Sequence, residues 1–277
     1  MSITFETKCY ENDYTFYLDN GGKYLKECIK RCGINFNCRQ LIINNVKNRK
    51  LIEEKAAKLV KNNVIDVYYF VEDYIEECLN FFGLTRESFG KGFVYSISEL
   101  VGIYLCKTDY LLHFSSDAFP YKNVQKSNWI NEFINLNQQN PEYVCSSLTW
   151  NKCFKSAKEE SSGELGNFFI GQGFSDQCYL IRTEIFRNKI YEYKNEISER
   201  YPEYGGELFE KRCDAFMRTE GKYRLINKQY CYRHANFPKS NIKRFFAKLI
   251  VKINPFSTLF REPNNFKLIW QKMRGYI

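Results

Sequence analysis

The sequence contains no Cys-x-x-Cys pair and only two histidines, His113 and His234. Those two absences remove the common zinc frameworks, which need closely spaced thiolates or imidazoles. Cys28, Cys32 and Cys38 form the tightest thiol cluster, and no histidine stands near them. The eleven cysteines are therefore expected to be reduced thiols, mostly inside a core. No window holds ~18 consecutive apolar residues, so no membrane-spanning helix is expected. The opening segment from Met1 to Lys8 lacks the apolar stretch of a signal peptide, which predicts a cytoplasmic chain. Internal repeats and low-complexity tracts are also missing.

What is present is apolar and aromatic. Hydrophobic residues make up 44% of the 277 residues and aromatics 17%, enough for a substantial core. The net charge of +9 points to an anionic partner, and it is unevenly placed. From Lys239 to the end Glu262 is the only acidic residue, so most of the excess lies in the tail. There Ile242, Phe245, Phe246, Leu249, Ile250 and Ile253 recur at helical spacing, with Lys243, Arg244, Lys248 and Lys252 mostly off the stripe. Residues 238–277 thus read as a basic amphipathic helical tail suited to an anionic membrane surface, or to packing on the protein's own core. Residues 1–237 read as one domain.

Within that domain, short runs rich in β-branched and aromatic residues alternate with helical patterns. The predicted strands begin with Ile3–Thr7, Gln40–Asn44, Val67–Val71 and Tyr110–Phe114; helices are predicted over Gly22–Cys32, Leu51–Lys61 and Ser96–Cys106. This order predicts an α/β fold, with a mostly parallel central sheet and helices on both faces. Further on, a helix is predicted over Asn123–Asn137 and strands over Tyr143–Thr149, Gln177–Arg182 and Tyr223–Ile226. The stretch Lys155–Gly173 reads as a mobile loop, and helices are predicted over Glu184–Arg200 and Gly206–Arg218.

The stretch Tyr110–Pro120 is the most informative. A buried strand stops abruptly in Ser115, Ser116 and Asp117, which delivers one carboxylate to the sheet edge where ligands of α/β folds sit. Alternation along that strand turns His113 away from Phe114 and makes it a hydrogen-bonded core histidine.

Taken together, Ile3–Asp13, Leu41–Val46, Tyr110–Pro120 and the late Tyr-Cys-Tyr-Arg-His234 resemble, in order and spacing, the GT-A glycosyltransferases, over about residues 1–236. The resemblance implies a GT-A-like fold and transfer of a sugar from a nucleotide-sugar donor to an acceptor hydroxyl, by inversion. It implies a divalent cation held by Asp117 and His234. The chain departs from the family's Asp-x-Asp motif, which here reads Ser115-Ser116-Asp117, and one carboxylate holds a metal less tightly than two. Oxygen ligands suit Mg²⁺ or Mn²⁺, and an imidazole favours Mn²⁺. The resemblance places Thr7, Lys8, Cys9, Tyr10 and Glu11, with Asn44, Ser115 and Ser116, around the donor: Tyr10 to stack on a base, Lys8 to meet phosphate. Glu210 becomes the general base and Glu207 the second choice, both on one face of the predicted helix with Asp214. Asp73, after the third strand, is a turn residue or a base or ribose contact; Ser175, Asp176 and Gln177 are candidates for the sugar or acceptor.

The basic tail and the resemblance together imply a peripheral enzyme on the inner face of the plasma membrane. Its acceptor would be a glycan or lipid-linked molecule of bacterial lipopolysaccharide or capsule assembly. The competing reading is a non-catalytic basic protein that binds nucleotide, RNA or a membrane surface. The charge sits in the tail rather than across the sheet, and no single-strand stacking motif is visible, so no nucleic-acid partner is expected. A nucleotidyltransferase would need a glycine-rich basic loop after the first strand, where this chain has Thr7-Lys-Cys-Tyr-Glu11.

Overall fold

The first strand sets the two faces of the molecule. In β1 (Ile3–Tyr10), Ile3, Phe5 and Cys9 enter one apolar core, while the alternating Thr4, Glu6 and Lys8 turn to the other side. The structure is a computed structural model that describes residues 1–10, 18–201, 207–234 and 242. Glu11 and, apart from Ile242, the tail over 238–277 lie outside the described residues, as does the proposed boundary near residue 237.

The other strands are β2 (Cys38–Asn44), β3 (Val67–Phe70), β4 (Tyr110–Phe114), β5 (Ala118–Pro120), β6 (Tyr143–Trp150), β7 (Gly163–Leu165), β8 (Phe168–Gly171), β9 (Cys178–Arg182) and β10 (Tyr223–His234). They form one sheet in the order β3-β2-β1-β4-β9-β6-β10-β8-β7, with β5 paired to the end of β10. The first four strands run parallel. Beyond them the sheet is mixed: β9 is antiparallel to both β4 and β6, while β6 and β10 are parallel. The antiparallel β9 has a direct consequence. Its preceding residues, Ser175–Gln177, lie at the same rim as the C-terminal ends of β1, β2 and β4.

Helices cover both faces. On one side α1 (Lys23–Arg31), α2 (Arg49–Lys61) and α5 (Trp129–Gln139) place Leu25, Leu59 and Phe133 against Phe5, Leu41 and Phe114. On the other, α3 (Ile75–Phe82), α4 (Phe93–Leu105) and α8 (Phe209–Thr219) place Leu79, Leu100 and Met217 against Ile42, Leu111 and Ile181. Each fully buried side chain of this size stabilises the fold by about 1.5–3 kcal/mol. The caps follow the local sequence: Asn48 Oδ1 accepts from the Leu51 amide at the start of α2, and α3 ends at Gly83 with φ 71°. All eleven cysteines are free. No helix among the described residues is long and apolar enough to cross a membrane.

Three sequence expectations are corrected here. The stretch Lys155–Gly173 is not a loop: α6 (Phe154–Glu159) and the hairpin β7–β8 occupy it, and Phe168 and Phe169 are buried. Polar turn residues hid two short strands, the first of which carries a single apolar side chain, Leu165. The predicted helix over Glu184–Arg200 reduces to α7 (Thr183–Phe186) and a 3₁₀ turn at Glu196–Arg200. The helix predicted over Gly206–Arg218 begins at Phe209, so Glu207 precedes it and does not share its face with Glu210 and Asp214.

A polar row crosses the sheet beneath α4. Gln40, Glu6, His113 and Tyr179 are register partners across β2, β1, β4 and β9. Gln40 donates to Glu6 and also to the Gly102 carbonyl of α4 at 3.1 Å. His113 Nδ1 meets Glu6 Oε1 at 2.9 Å, and the His113 and Tyr179 rings stack at 4.6 Å. Helix α4 approaches this row closely because residue 102 is glycine: a Cβ there would stand 2.2 Å from Glu6 Oε2. In an ordinary helix interior Gly→Ala stabilises by about 1 kcal/mol. Here Gly102→Ala is expected to destabilise by about 1–3 kcal/mol through overpacking. Urea denaturation measures the sign directly, and a stabilised variant would show that α4 does not rest on Glu6.

Candidate functional site

The rim site is built by strand pairing. After β4 the chain turns through Ser115–Asp117, with the Ala118 amide bonded to the Ser115 carbonyl at 3.0 Å. It then enters β5, which pairs antiparallel with the end of β10 so that His234 faces Ala118. This register brings His234 Nε2 to 3.3 Å from Asp117 Oδ2. Ser115 Oγ donates to Asp117 Oδ1 at 3.0 Å, and the Ser115 amide bonds the Gln177 carbonyl at 3.0 Å. Ser116 is buried beside them. One carboxylate and one imidazole, both about one-fifth exposed, therefore converge at an open rim.

Asp176 links this pair to Glu210. The Asp176 amide lies 3.5 Å from Glu210 Oε2 at the start of α8. Burial raises the Asp176 carboxyl above its ordinary range; the charges of Lys8 and then His234 oppose that, and Asp117 adds to it. Burial, and next the Asp176 carboxylate, push Glu210 well above the ordinary carboxylate range. Glu210 lines a cavity of about 340 Å³ together with Trp150, Phe174, Gln177, Arg224 and Tyr232. Tyr232 OH donates to Gln177 Oε1 at 3.2 Å, so the cavity wall reaches the residue next to Asp176. A larger depression, about 870 Å³, lies at the opposite edge of the sheet beside Met1, Asp109 and Arg182. Asp109 and Arg182 are already paired there, with Ser2 and Glu184, and the hydrogen bonds from Ser2 hold Asp109 ionised, below the ordinary carboxylate range, so that it is a poor base. Chemistry rather than size therefore selects the rim site.

The remaining sequence candidates fall in other places. Lys8 is buried and ion-paired to Glu99 of α4, not at a phosphate-facing surface. Burial lowers its ammonium below the ordinary lysine range. Thr7 and Cys9 are buried in β1, in register with Leu41 and Ile43 of β2. Tyr10 and Asn44 end their strands in register at the rim; Tyr10 OH lies 3.1 Å from Ser98 Oγ, and Asn44 donates to the Val94 carbonyl at 3.3 Å. Glu207 is held by Lys211 at 2.9 Å and Arg212 at 3.0 Å, away from the cavity. Asp73 is paired with Arg49, which depresses its carboxyl. Asp214 is buried against Ser198 and Arg218.

Sequence reasoning missed a buried cluster. Glu6, Glu99 and His113 bring potential ligand atoms within 4.8 Å of one another under α4. Tyr179 OH donates to Glu99 Oε2 at 2.6 Å, and Lys8 supplies the compensating cation. Burial, and next the Lys8 ammonium, hold His113 neutral, and its Nδ1 shares a hydrogen bond with Glu6 Oε1. The only available signal was two charged residues, Glu6 and Lys8, at alternate positions of an otherwise buried strand.

No protein-family model and no curated protein matches the sequence. Solved structures do resemble the fold. GalNAc-T7 with UDP, GalNAc and Mn²⁺ matches at TM-score 0.49 and 9% identity, over 91% of this chain and 48% of that one, so this chain spans about half of it. TarS 1–349 of S. aureus with UDP-GlcNAc matches at 0.48 and 12%, over 100% and 72%. A UDP-glucose pyrophosphorylase with UDP-glucose matches at 0.46 and 12%, over 85% and 93%. Likeness at this level extends across different activities, so function rests on the residues of the site.

The buried cluster makes a direct prediction. Lys8→Met should leave Glu99 and Glu6 uncompensated and cost about 3–5 kcal/mol in urea denaturation, with much of it recovered by adding Glu99→Gln. A loss below about 1 kcal/mol would show that another cation serves those carboxylates.

Proposed function

We propose that this protein is a glycosyltransferase that moves a sugar from a nucleotide-sugar donor to an acceptor hydroxyl, with inversion. The observation that carries the reading is the meeting of Asp117 and His234 at 3.3 Å on the rim, with the Asp176 amide reaching toward Glu210 in the adjoining cavity. The donor diphosphate lies over the Asp117 rim and the acceptor enters the cavity. Tyr10 and Asn44, in register at the ends of β1 and β2, face the nucleotide side.

A divalent cation fits the pair. Asp117 supplies an oxygen and His234 a nitrogen, both accessible, on one point of the rim. Held there, such an ion would neutralise charge on the departing diphosphate. Mn²⁺ suits the mixed donor set better than Mg²⁺. The buried Glu6–Glu99–His113 group is a poor alternative, because Lys8 already balances it beneath α4.

The chain's own residues perform the rest. Glu210, when ionised, accepts the proton of the acceptor hydroxyl. The acceptor oxygen bonds to the anomeric carbon as the bond from that carbon to the diphosphate oxygen breaks, and the nucleoside diphosphate leaves. The raised affinity of Glu210 for a proton makes it a stronger base than a solvated carboxylate, at the cost of requiring higher pH to ionise. Phe174, Tyr232 and Trp150 on the cavity wall limit water, which would otherwise compete as acceptor.

Calorimetric titration with a panel of nucleoside diphosphates, with and without Mn²⁺, tests the donor reading. At least one should bind more tightly with Mn²⁺, and Asp117→Ala should remove that gain without moving the thermal melt. Failure of every nucleotide to bind would end the transferase reading. Activity should rise with pH through one ionisation above the ordinary carboxylate range, as buried Glu210 loses its proton in the field of Asp176 and Asp214. Glu210→Gln should lower kcat by about 10²–10⁴ and abolish that limb; a variant that keeps both rate and limb would remove Glu210 from the chemistry.

A further inference from the structure

The cavity beside Glu210 contains a cation that the proposed reaction does not use. Arg224, from β10, lines it together with Glu210, and its Nε is buried with no partner among the described residues. Trp150 Nε1, on the same wall, is also buried and unpartnered. Neither atom is open to the cavity itself, so a ligand there would be met by the guanidinium end of Arg224.

A second arginine converges on the same place. Gly173 has φ +99°, and a Cβ there would stand 3.0 Å from a terminal nitrogen of Arg200, 3.6 Å from one of Arg224 and 3.8 Å from Tyr201 OH. Glycine at this position lets both guanidinium ends approach one point. Arg200 lines an adjoining cavity of about 270 Å³, and Glu160 borders both spaces. Arg200 lies over the Tyr201 ring at 5.8 Å and neither arginine forms an ion pair among the described residues, although Glu160 and Glu210 share the cavity lining with Arg224. Two like charges brought together repel, and an anion between them relieves the repulsion. Guanidinium forks match the oxygens of carboxylate and phosphate in pairs.

We infer that this cavity binds an oxyanion, a carboxylate or phosphate ester carried by the acceptor, with Arg224 as the reading residue and Arg200 reinforcing it from the neighbouring space. The inference rests on the acceptor entering the cavity, and it adds the acceptor's chemical class. Arg224 is then a specificity residue: it selects an acceptor whose anionic group lies beside the hydroxyl presented to Glu210. Neutral sugars of the same size leave the Arg224 guanidinium without an anionic acceptor and bind less well.

Tryptophan fluorescence supplies a local readout, because Trp150 is on the cavity wall. The full chain is titrated with glucuronate and glucose, and with glycerol 3-phosphate and glycerol, in the presence of saturating nucleoside diphosphate and Mn²⁺ and also in their absence. Trp150→Phe identifies the signal that arises in the cavity. At least one anionic probe should bind tenfold or more tightly than its neutral counterpart under both conditions. The carboxylate and phosphate arms tell which oxyanion is preferred. Arg224→Leu should erase the preference, Arg224→Lys should retain part of it, and Arg200→Leu should weaken it. Equal binding of charged and neutral probes, no binding of any probe, or a preference that survives Arg224→Leu would overturn the assignment. If Arg224→Leu does not fold, a preference unchanged in both Arg224→Lys and Arg200→Leu overturns it equally. The measurement without nucleotide needs neither donor nor metal, so its failure is separate from failure of the transfer reading.

Discussion

The structure depends on a row of buried polar side chains that spans four strands of its sheet. Gln40, Glu6, His113 and Tyr179 stand side by side across β2, β1, β4 and β9, and Glu99 and Lys8 close the row against α4. Burying so many polar groups is tolerable only because nearly every one is paired. The same pairing fixes register. A one-residue slip of β1 against β4 would turn Glu6 into the apolar core beside Phe5's neighbours and leave His113 alone. The row thus decides how far β1, β2 and β4 extend toward the rim, and with that where Tyr10, Asn44 and Ser115–Asp117 stand.

The rim converts that fixed sheet into a site through a short strand the sequence did not advertise. β5 holds only Ala118–Pro120, but it pairs with the end of β10 and draws His234 across to Asp117. Antiparallel β9 contributes from the other direction, ending the Ser175–Gln177 segment beside the same carboxylate. The result is a gradient of environment across a short span. Asp117 and His234 meet solvent, Asp176 is partly buried, and Glu210 lies in a cavity wall where its proton is held tightly. The proposed reaction uses that gradient, with accessible groups to hold the ion and a desolvated carboxylate to take the proton.

Much of the fold was legible because its signals are local. The runs at Ile3, Gln40, Val67 and Tyr110 are β-branched and aromatic, and the helical stripes between them have the correct period. The hairpin over Gly163–Gly171 was not legible, since its first strand carries glycine and glutamate and is held only by β8. Helical spacing upstream of Phe209 puts Glu207 on the predicted helix, yet the helix begins only at Phe209, and Glu207 is tied to Lys211 and Arg212. Of the site, Asp117 and His234 could be singled out as a rare carboxylate at a strand end and a rare histidine. Lys8 could not be read correctly from sequence, because its partner Glu99 lies on a helix distant in the chain. Arg224 was invisible for the same reason: its surroundings are assembled from β6, α6, α8 and the segment before β9.

The central claim is that Asp117 and His234 hold the cation that accompanies the donor diphosphate. Pulsed electron paramagnetic resonance of Mn²⁺ bound with a nucleoside diphosphate tests it most directly, since a coordinated imidazole nitrogen modulates the echo. The chain has only two histidines, and His113 is buried against Glu6 and Tyr179, so the assignment is unambiguous. The account predicts coupling to one imidazole nitrogen that disappears in His234→Ala. Bound Mn²⁺ without nitrogen coupling, or coupling that survives His234→Ala, would contradict it.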